Sequence, residues 1–415
     1  MVTKINEQTK KYMKLIKEYI NDSYINNFRE PIEGIFKYPY IVPGGNSYSK
    51  QLWDWDAWLT GYALMNINDK KIEQHQKGCV LNYLDHQEEN GMIPIVISDA
   101  PVCWLPTLND NYQGNIHKPC LAIHAYEISK QYNDYEWIKD EFDKLIKFIS
   151  IYEKNQYDEE SGLFYWNDDL AIGFDNDPTV FYRPNKSTGA IYLNSLMYLE
   201  LYSIAMIAKN INKEDIYEEY INKANHLKDA INNECFDNVD GFYYSVDLSL
   251  RKVDKNEWLH QGQPRFWHSL PIKITTWAGL LPLWNHIASQ EQADRVIQRY
   301  LNSDGLYSDY GIRSVAKNEK MYGVFDTGNP SCWIGPIWIN ANYFAYEAFK
   351  NYHYDDLAKD IAIKTINLLG KDLETNKQFH EYYDGETGLG VRGLGFQSWN
   401  FLVLRMINDL EKDNN

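Results

Sequence analysis

The chain is poor in cysteine, in positive charge and in long apolar runs. Five cysteines occur in 415 residues (Cys79, Cys103, Cys120, Cys235 and Cys332). The number is odd, there is no CxxC spacing, and no paired histidines lie nearby. That argues against a disulfide framework and a zinc site and predicts reduced, mostly buried thiols. Lysine plus arginine number 41 against 58 aspartates and glutamates, a net charge of −17. An acidic surface repels phosphate backbones, which argues against nucleic acid and anionic membranes as partners. No apolar run approaches the roughly 18 residues a bilayer span needs. The opening residues, Met1 to Asn6, are not followed by the apolar core of a signal peptide, so a cytoplasmic address is expected. No linker rich in serine, proline or glycine interrupts the chain. One domain over 1–415 is therefore expected, as a monomer or a homo-oligomer, with a frayed tail at 411–415.

Aromatic residues, by contrast, are abundant: 13 Trp, 33 Tyr and 16 Phe make up 15% of the chain. A helical core can be built without so many tryptophans. Flat aromatic faces with polar edges suit the C–H faces and hydroxyl rims of sugars. A codon bias toward Tyr, Asn, Ile and Lys accounts for the tyrosines but less easily for the tryptophans.

Helical periodicity dominates the pattern. In 396–411, Phe396, Trp399, Val403, Met406, Ile407 and Leu410 share one face. In 213–234, Ile216, Tyr220, Ala224, Leu227 and Ile231 form one stripe. The spacing predicts about twelve helices, near 6–21, 54–67, 70–89, 119–131, 135–154, 187–209, 213–234, 274–286, 290–302, 336–351, 354–371 and 396–411. Several are joined by very short turns, which make antiparallel neighbours. The other connections, 91–118, 155–186, 235–273, 303–335 and 372–395, are long and carry Gly, Pro, Trp and Asp. An echo runs through them: Ser161-Gly162-Leu163-Phe164-Tyr165, Asp240-Gly241-Phe242-Tyr243-Tyr244, Asp304-Gly305-Leu306-Tyr307 and Glu386-Thr387-Gly388-Leu389. Repetition of this kind marks one supersecondary unit used several times. Six helix pairs closed on themselves predict an all-α (α/α)6 toroid, with long loops at one mouth of a central funnel. An open solenoid would want a more regular repeat and plainer loops.

Four segments concentrate residues suited to chemistry. In Gly44-Gly45-Asn46-Ser47-Tyr48-Ser49-Lys50-Gln51-Leu52-Trp53-Asp54-Trp55-Asp56-Ala57-Trp58, three tryptophans and two aspartates precede or open a helix. Asp54 can be a plain N-cap; a sugar pocket would use a tryptophan as a stacking floor and Asp56 as a bidentate hydroxyl acceptor. In Gly173-Phe174-Asp175-Asn176-Asp177-Pro178-Thr179, the acidic turn is ordinary turn chemistry. Its apolar and aromatic flanks, however, disfavour a charged carboxylate and suit a general acid. In His380-Glu381-Tyr382-Tyr383-Asp384-Gly385, Glu381 precedes a turn among aromatics, as a fixed base would. In Cys332-Trp333-Ile334-Gly335-Pro336-Ile337-Trp338-Ile339-Asn340, a Gly-Pro step enters a helix. Trp333, Trp338 and Asn340 can line a sugar site, and core packing is the competing use of Trp338. Arg265, beside Trp267, and Arg313 lie in funnel loops; each can bind an anionic substrate group or pair with one of the many carboxylates. Loops from opposite sides of a ring would let Asp175 and Glu381 flank a glycosidic bond. Inversion needs them roughly 6.5–9.5 Å apart, with room for a water.

Taken together, Trp55-Asp56, Gly173-Phe174-Asp175-Asn176, the run Trp333 to Asn340, and Glu381-Tyr382-Tyr383-Asp384 with Thr387-Gly388 resemble glycoside hydrolase family 63 and its trehalase relatives. The resemblance spans roughly residues 40–400, with the motifs in the family's order. The run Gly173-Phe174-Asp175-Asn176-Asp177-Pro178-Thr179-Val180 makes the chain most similar to the mannosylglycerate and glucosylglycerate hydrolase branch. The resemblance implies inversion, α-linked substrates and no catalytic cofactor. Asp175 would be the acid, Glu381 the base, and Trp55 and Asp56 would hold the sugar ring. Further substrate contacts are expected among Tyr48, Gln51, Trp53, Gln113, His117, Lys118, Arg183, Gln263, Arg265, Trp267, Trp333, Trp338, Asn340 and Trp399. Arg183, Arg265, Tyr48 and Gln113 are the candidates for a glycerate carboxylate. Some larger relatives bind calcium, but Asp237-Asn238-Val239-Asp240-Gly241 lacks the full ligand pattern and reads as a turn, so no metal is expected.

The substrate expected is a small α-glucoside or α-mannoside, of glycerate above all. A disaccharide such as kojibiose, nigerose or trehalose is the alternative. Two other classes compete on the same toroid. A sugar epimerase would want a pair of funnel histidines, for which His260, His268 and His380 are available. A non-catalytic sugar binder would keep the aromatics but has no need of two opposed carboxylates.

Overall fold

In a computed structural model the protein is described over residues 5–45, 48–99, 114–250, 265–302, 304–324 and 331–412. About half the chain is helical. In chain order the helices are α1 (Glu7–Ser23), α2 (Asp54–Leu64), α3 (Lys70–Asp85), α4 (Leu121–Tyr132), α5 (Glu136–Lys139), α6 (Phe142–Asn155), α7 (Ile191–Asn210), α8 (Glu214–Ala230), α9 (Leu281–Trp284), α10 (Gln290–Tyr300), α11 (Ile339–Asn351), α12 (Asp355–Asn376) and α13 (Val403–Lys412).

They form two concentric layers. The inner ring is α2, α4, α7, α9, α11 and α13, the last extended upstream by a 3₁₀ turn at Ser398–Leu402. Neighbours in this ring pack on each other, and the 3₁₀ turn closes it against α2. The outer layer is α1, α3, α6, α8, α10 and α12, with α1 packed on α12. Alternation of outer and inner helices along the chain is the expected (α/α)6 toroid, and sequence explains the split. Most inner helices are buried nearly all round, as α2 is at every residue except Tyr62, while α13 keeps a polar face. Outer helices carry one buried stripe and a polar face, as α8 does with Tyr220, Ala224 and Leu227. Helix α7 is the one described helix long and apolar enough to cross a membrane, a stretch not singled out from sequence; 78% of that window is buried inside the ring.

The expected helices are present with local differences. The segment expected at 135–154 breaks at Asp140–Glu141 into α5 and α6. The segment expected at 274–286 is a 3₁₀ turn, Trp277–Leu280, leading into the four-residue α9, with Pro282 in its first turn. Helix α8 ends in a π turn, Ile231–Cys235.

The repeated loop motif proves to be a hairpin. Strands Tyr157–Asp158 and Leu163–Phe164 pair, as do Phe236–Asp237 and Phe242–Tyr243, and Tyr382–Tyr383 with Gly390–Arg392. In each an aspartate leads the turn, and its carboxylate accepts backbone N–H groups just ahead: Asp158 from Ser161, Asp237 from Val239 and Asp240, Asp384 from Glu386 and Thr387. Gly162, Gly241 and Gly388 then take φ values of +72°, +68° and +69°, the left-handed region glycine enters without strain. Gly305 in the remaining echo is not in that region and belongs to a different turn. The residues 237–241 thus form this turn, with Asp237 occupied by its own backbone and by Lys273. The four described cysteines are buried and free; Cys103 lies outside the described residues.

Candidate active site

The N-terminal ends of α2 and α11, the 3₁₀ turn before α13 and the loops between them surround a cavity of about 650 Å³. Its wall is built from the segments singled out in the sequence. From the first come Tyr48, Gln51, Trp53, Trp55 and Asp56; from the second Gly173, Asp175 and Asn176; from the third Glu381; from the fourth Trp333 and Trp338. Lys118 and Trp399 join them.

The floor is set by a buried ion pair. Asp54 is not a helix cap in the usual sense. Its carboxylate takes Lys118 Nζ at 2.9 Å and Lys118 N at 2.9 Å, with both side chains at most 2% exposed. Burial pushes this carboxyl up, but Lys118 and His117 outweigh it and hold it below the usual range. Lys118 Nζ also lies 5.6 Å from the centre of the Trp55 ring. Gly173 passes over the same lysine with φ +86°; a Cβ there would stand 2.5 Å from Lys118 Cε, so only glycine lets the Asp175 loop come this close.

That loop is pinned on both sides of Asp175. Asn115 Nδ2 donates to the carbonyls of Asp168 and Leu170. Asn176, with φ +49°, accepts Trp333 N–H at 2.8 Å. Asp177 accepts Thr179 N–H at 2.8 Å and is the turn former of the Asp-Asn-Asp-Pro run. It is buried, which pushes its carboxyl up to about 7, but it does not line the cavity. Asp177 thus takes the turn reading of this segment, and Asp175 lines the cavity.

Glu381 sits on the last of the hairpins. Its N–H donates to Arg392 O, and Tyr383 exchanges backbone bonds with Ile337, tying the strand to the Trp333–Trp338 segment. Asp372 brackets it by accepting His380 N–H and Tyr383 Oη–H. Gly393, with φ +64°, leaves room above the carboxylate: a Cβ there would be 2.7 Å from Glu381 Oε2. Burial is the main cause that pushes Glu381 up to about 8, with Asp56 and Asp175 adding to it, while a hydrogen bond from Tyr48 Oη at 3.4 Å opposes the rise. Burial also raises Tyr48 far above the ordinary phenol value, so it stays a donor. Asp56, 6% exposed, is raised to about 7 by burial and accepts Ser398 Oγ–H at 2.9 Å.

Aromatic rings close the remaining wall. Trp333 and Trp338 stack at 3.9 Å, and Trp338 continues onto Tyr382 at 4.7 Å. Trp55 lies 5.1 Å from Trp399. Trp338 is thus buried in the stack and also touches the cavity.

Several expected contacts are placed elsewhere. His117 is buried between Tyr83 and Phe148, beneath the floor, and burial pushes it down to about 4. Asn340 is fully buried in the first turn of α11. Arg183 pairs with Asp247 at 2.8 Å, Arg265 with Glu160 at 2.5 Å, and Arg313 with Glu386 at 2.8 Å. In so acidic a chain these arginines find carboxylates before they reach the cavity. Trp267, 46% exposed, rests on Phe266 outside it. Gln113, Gln263 and His260 lie outside the described residues. No histidine among the described residues lines the cavity, and His380 is turned to Asp372 at 2.9 Å, which removes the histidine pair an epimerase would want there. Residues not foreseen include Asp169, Ala171, Phe181, Ser331 and Phe396. All sit beside recognised motifs, but nothing in their type marks them.

The family described as "Mannosylglycerate hydrolase MGH1-like glycoside hydrolase domain" matches residues 49–399. The mannosylglycerate hydrolase MGH1 of Selaginella moellendorffii is 32% identical over 420 residues, covering 87% of this chain and 80% of that protein. Alpha-glucosidase 2 of Arabidopsis thaliana is 23% identical over 415 residues, covering 86% of this chain and 50% of that protein. The chain spans about half the length of several of the curated relatives it matches. Among solved structures, a GH63 mannosylglycerate hydrolase from Thermus thermophilus, in complex with Tris and D-glycerate, superposes with a TM-score of 0.68 at 19% identity. It covers 95% of this chain and 99% of that one, a likeness of fold. The match across 49–399 and the identity to the Selaginella protein show that this chain belongs to the MGH1-like glycoside hydrolase family.

Proposed function

We propose that the cavity hydrolyses the α-glycosidic bond of a small α-mannoside or α-glucoside of glycerate, with inversion at the anomeric carbon. The observation that carries this reading is the presence of two carboxyl groups, Asp175 and Glu381, from loops 206 residues apart, in the wall of one aromatic-lined cavity of about 650 Å³. Glycerate is favoured by the names of the Selaginella relative and of the Thermus structure. A disaccharide substrate is the second reading, favoured by the Arabidopsis α-glucosidase.

In this reading Asp175 gives its proton to the glycosidic oxygen as the bond to the anomeric carbon breaks. Glu381, as a carboxylate steadied by Tyr48, takes a proton from a water that attacks the opposite face and becomes the neutral acid. Asp56 and Lys118 bind the ring hydroxyls, and Trp55 and Trp399 flank its C–H face. A water must fit between base and sugar, as inversion requires. No bound cofactor takes part. A sugar binder would have no use for a carboxyl group raised as far as that of Glu381. A cytoplasmic location and a small-molecule substrate belong to the same proposal.

The test is a panel of mannosylglycerate, glucosylglycerate, trehalose, kojibiose and nigerose, followed by proton NMR for cleavage and for the anomer released first. Asp175→Asn and Glu381→Gln should each lower turnover by about 10²–10⁴-fold. Near wild-type turnover in either variant ends the assignment, and retention of configuration ends the inverting mechanism.

A further inference from the structure

A second cavity, of about 410 Å³, lies in the outer layer, between the Phe236–Tyr243 hairpin, α10 and the segment 305–318. It shares no residue with the first. Two arginines line it. The Arg295 guanidinium rests 5.6 Å from the Phe236 ring and donates to Asn238 O. The Arg299 guanidinium sits 5.7 Å from both the Phe242 and the Tyr244 rings, and its Nη2 donates to Thr275 Oγ1 at 3.0 Å. Arg299 Nε is buried and has no hydrogen-bond partner.

The charge balance here runs against the rest of the protein. In a chain of net charge −17, Arg183, Arg265 and Arg313 each have a carboxylate partner. Among the described residues, neither Arg295 nor Arg299 lies within ion-pair distance of one. Asp240 is the one carboxylate in this cavity's wall, and it is engaged by Lys273 at 3.2 Å and by Tyr244 Oη at 3.1 Å. A desolvated guanidinium N–H without an acceptor is costly. A planar fork held by ring stacking is preorganised for an oxyanion. Arg299 in the last turn of α10 also complements the helix dipole, but that leaves Arg295, a turn earlier, unexplained. Thr275 and the amides of Gln298, Asn302 and Asn318 complete a polar wall suited to hydroxyl groups. The space exceeds what a bare oxyanion fills.

We infer that this outer-layer cavity is a second ligand site, taking the oxyanion of a small polyhydroxy compound on Arg295 and Arg299, apart from the glycoside-binding cavity. The oxyanion is a phosphate ester or a carboxylate.

Isothermal titration at fixed ionic strength with inorganic phosphate, glucose 6-phosphate, glucuronate and uncharged glucose tests it. Glucose 6-phosphate or glucuronate should bind saturably, with the tighter of the two naming the oxyanion, and more tightly than inorganic phosphate or glucose. Arg295→Gln and Asn318→Asp should each weaken that binding about tenfold or more while leaving glycoside turnover within about twofold. Asn318 is an exposed loop residue, so its variant remains informative if the arginine variant does not fold. Absence of saturable anion binding to the wild type, or binding unchanged in the folded variants, overturns the inference. Because the readout is binding, failure of the hydrolase reading leaves it standing, and the reverse also holds.

Discussion

The same inner helices carry two polar regions of opposite character. Beside their N-terminal ends, Asp56 at the start of α2 and Glu381 on the last hairpin are buried in the cavity wall, with hydroxyl donors from Ser398 and Tyr48. One to two turns further along lies a belt that includes Trp58, Tyr62, Glu127, Tyr343 and Arg405. There Trp58 Nε1 donates to Glu127 at 2.7 Å, Arg405 donates to Tyr343 Oη and Tyr62 O, and its guanidinium lies 3.8 Å over the Tyr62 ring. Burial raises Glu127 to about 7, much as it raises Asp56, with Trp58 and Arg405 opposing the rise. The difference is that the belt is packed solid around Arg405, whereas Asp56 and Glu381 face open volume and the lysine of their wall, Lys118, is held by Asp54. Burial alone does not mark a reactive carboxyl group. A raised carboxyl group that faces open volume, as those of Asp56 and Glu381 do, is a candidate for one.

Lys118→Met would break this comparison most severely. It leaves Asp54 as an uncompensated charge in the floor, and should reduce the unfolding free energy by about 3–5 kcal/mol, read from urea unfolding. Adding Asp54→Leu should recover a large part of it. A loss below about 1 kcal/mol would show that the pair does not hold the floor.

Tyr48→Phe sharpens the comparison at the cavity. The phenol stabilises the ionised form of Glu381, so its removal raises a group already near 8. In the proposed mechanism the base must be ionised, so the acid limb of kcat/KM should move to higher pH, by up to about one pH unit. The limb belongs to Glu381, Asp56 and Asp175 as a coupled set. An unmoved limb would mean that Tyr48 does not govern the base.

The smallest effect is expected in the belt. Glu127 has a folded value above its unfolded one, so the folded state holds the extra proton between about 4.5 and 7. Stability therefore falls as pH rises through that window. Glu127→Gln keeps an acceptor for Trp58 and removes the titration. The variant should lose less stability than the wild type between pH 5 and pH 8, by on the order of 1 kcal/mol, as thermal unfolding at the two pH values would show. Equal pH dependence in both proteins would place the titration elsewhere.

Much of the site was legible because its residues cluster in the chain. Trp53, Trp55 and Asp56 stand together, and the Trp333–Trp338 and Glu381 motifs are local. Legibility failed where a side chain's partner comes from a distant loop. Nothing in the sequence directs Arg183 to Asp247 or Arg265 to Glu160 rather than to a substrate, since an arginine in an acidic chain has many possible carboxylates. His117 and Asn340 stand beside cavity residues in sequence, yet fold beneath them. The reverse holds for Phe396, assigned to a helical stripe, which touches the cavity while remaining buried.

Sequence by itself determined the helical periods, the alternation of short turns with long loops, and the glycine-bearing hairpins led by aspartate. These follow from local backbone preference and from burial at fixed spacing, both written in neighbouring residues. Tertiary structure alone decided which aspartate of the first motif is spent and which faces the cavity: Asp54 takes Lys118, 64 residues away, and Asp56 lines the wall. That choice is made by contacts between segments remote along the chain and by the desolvation that closing the ring imposes, and neither is a property of any stretch read alone.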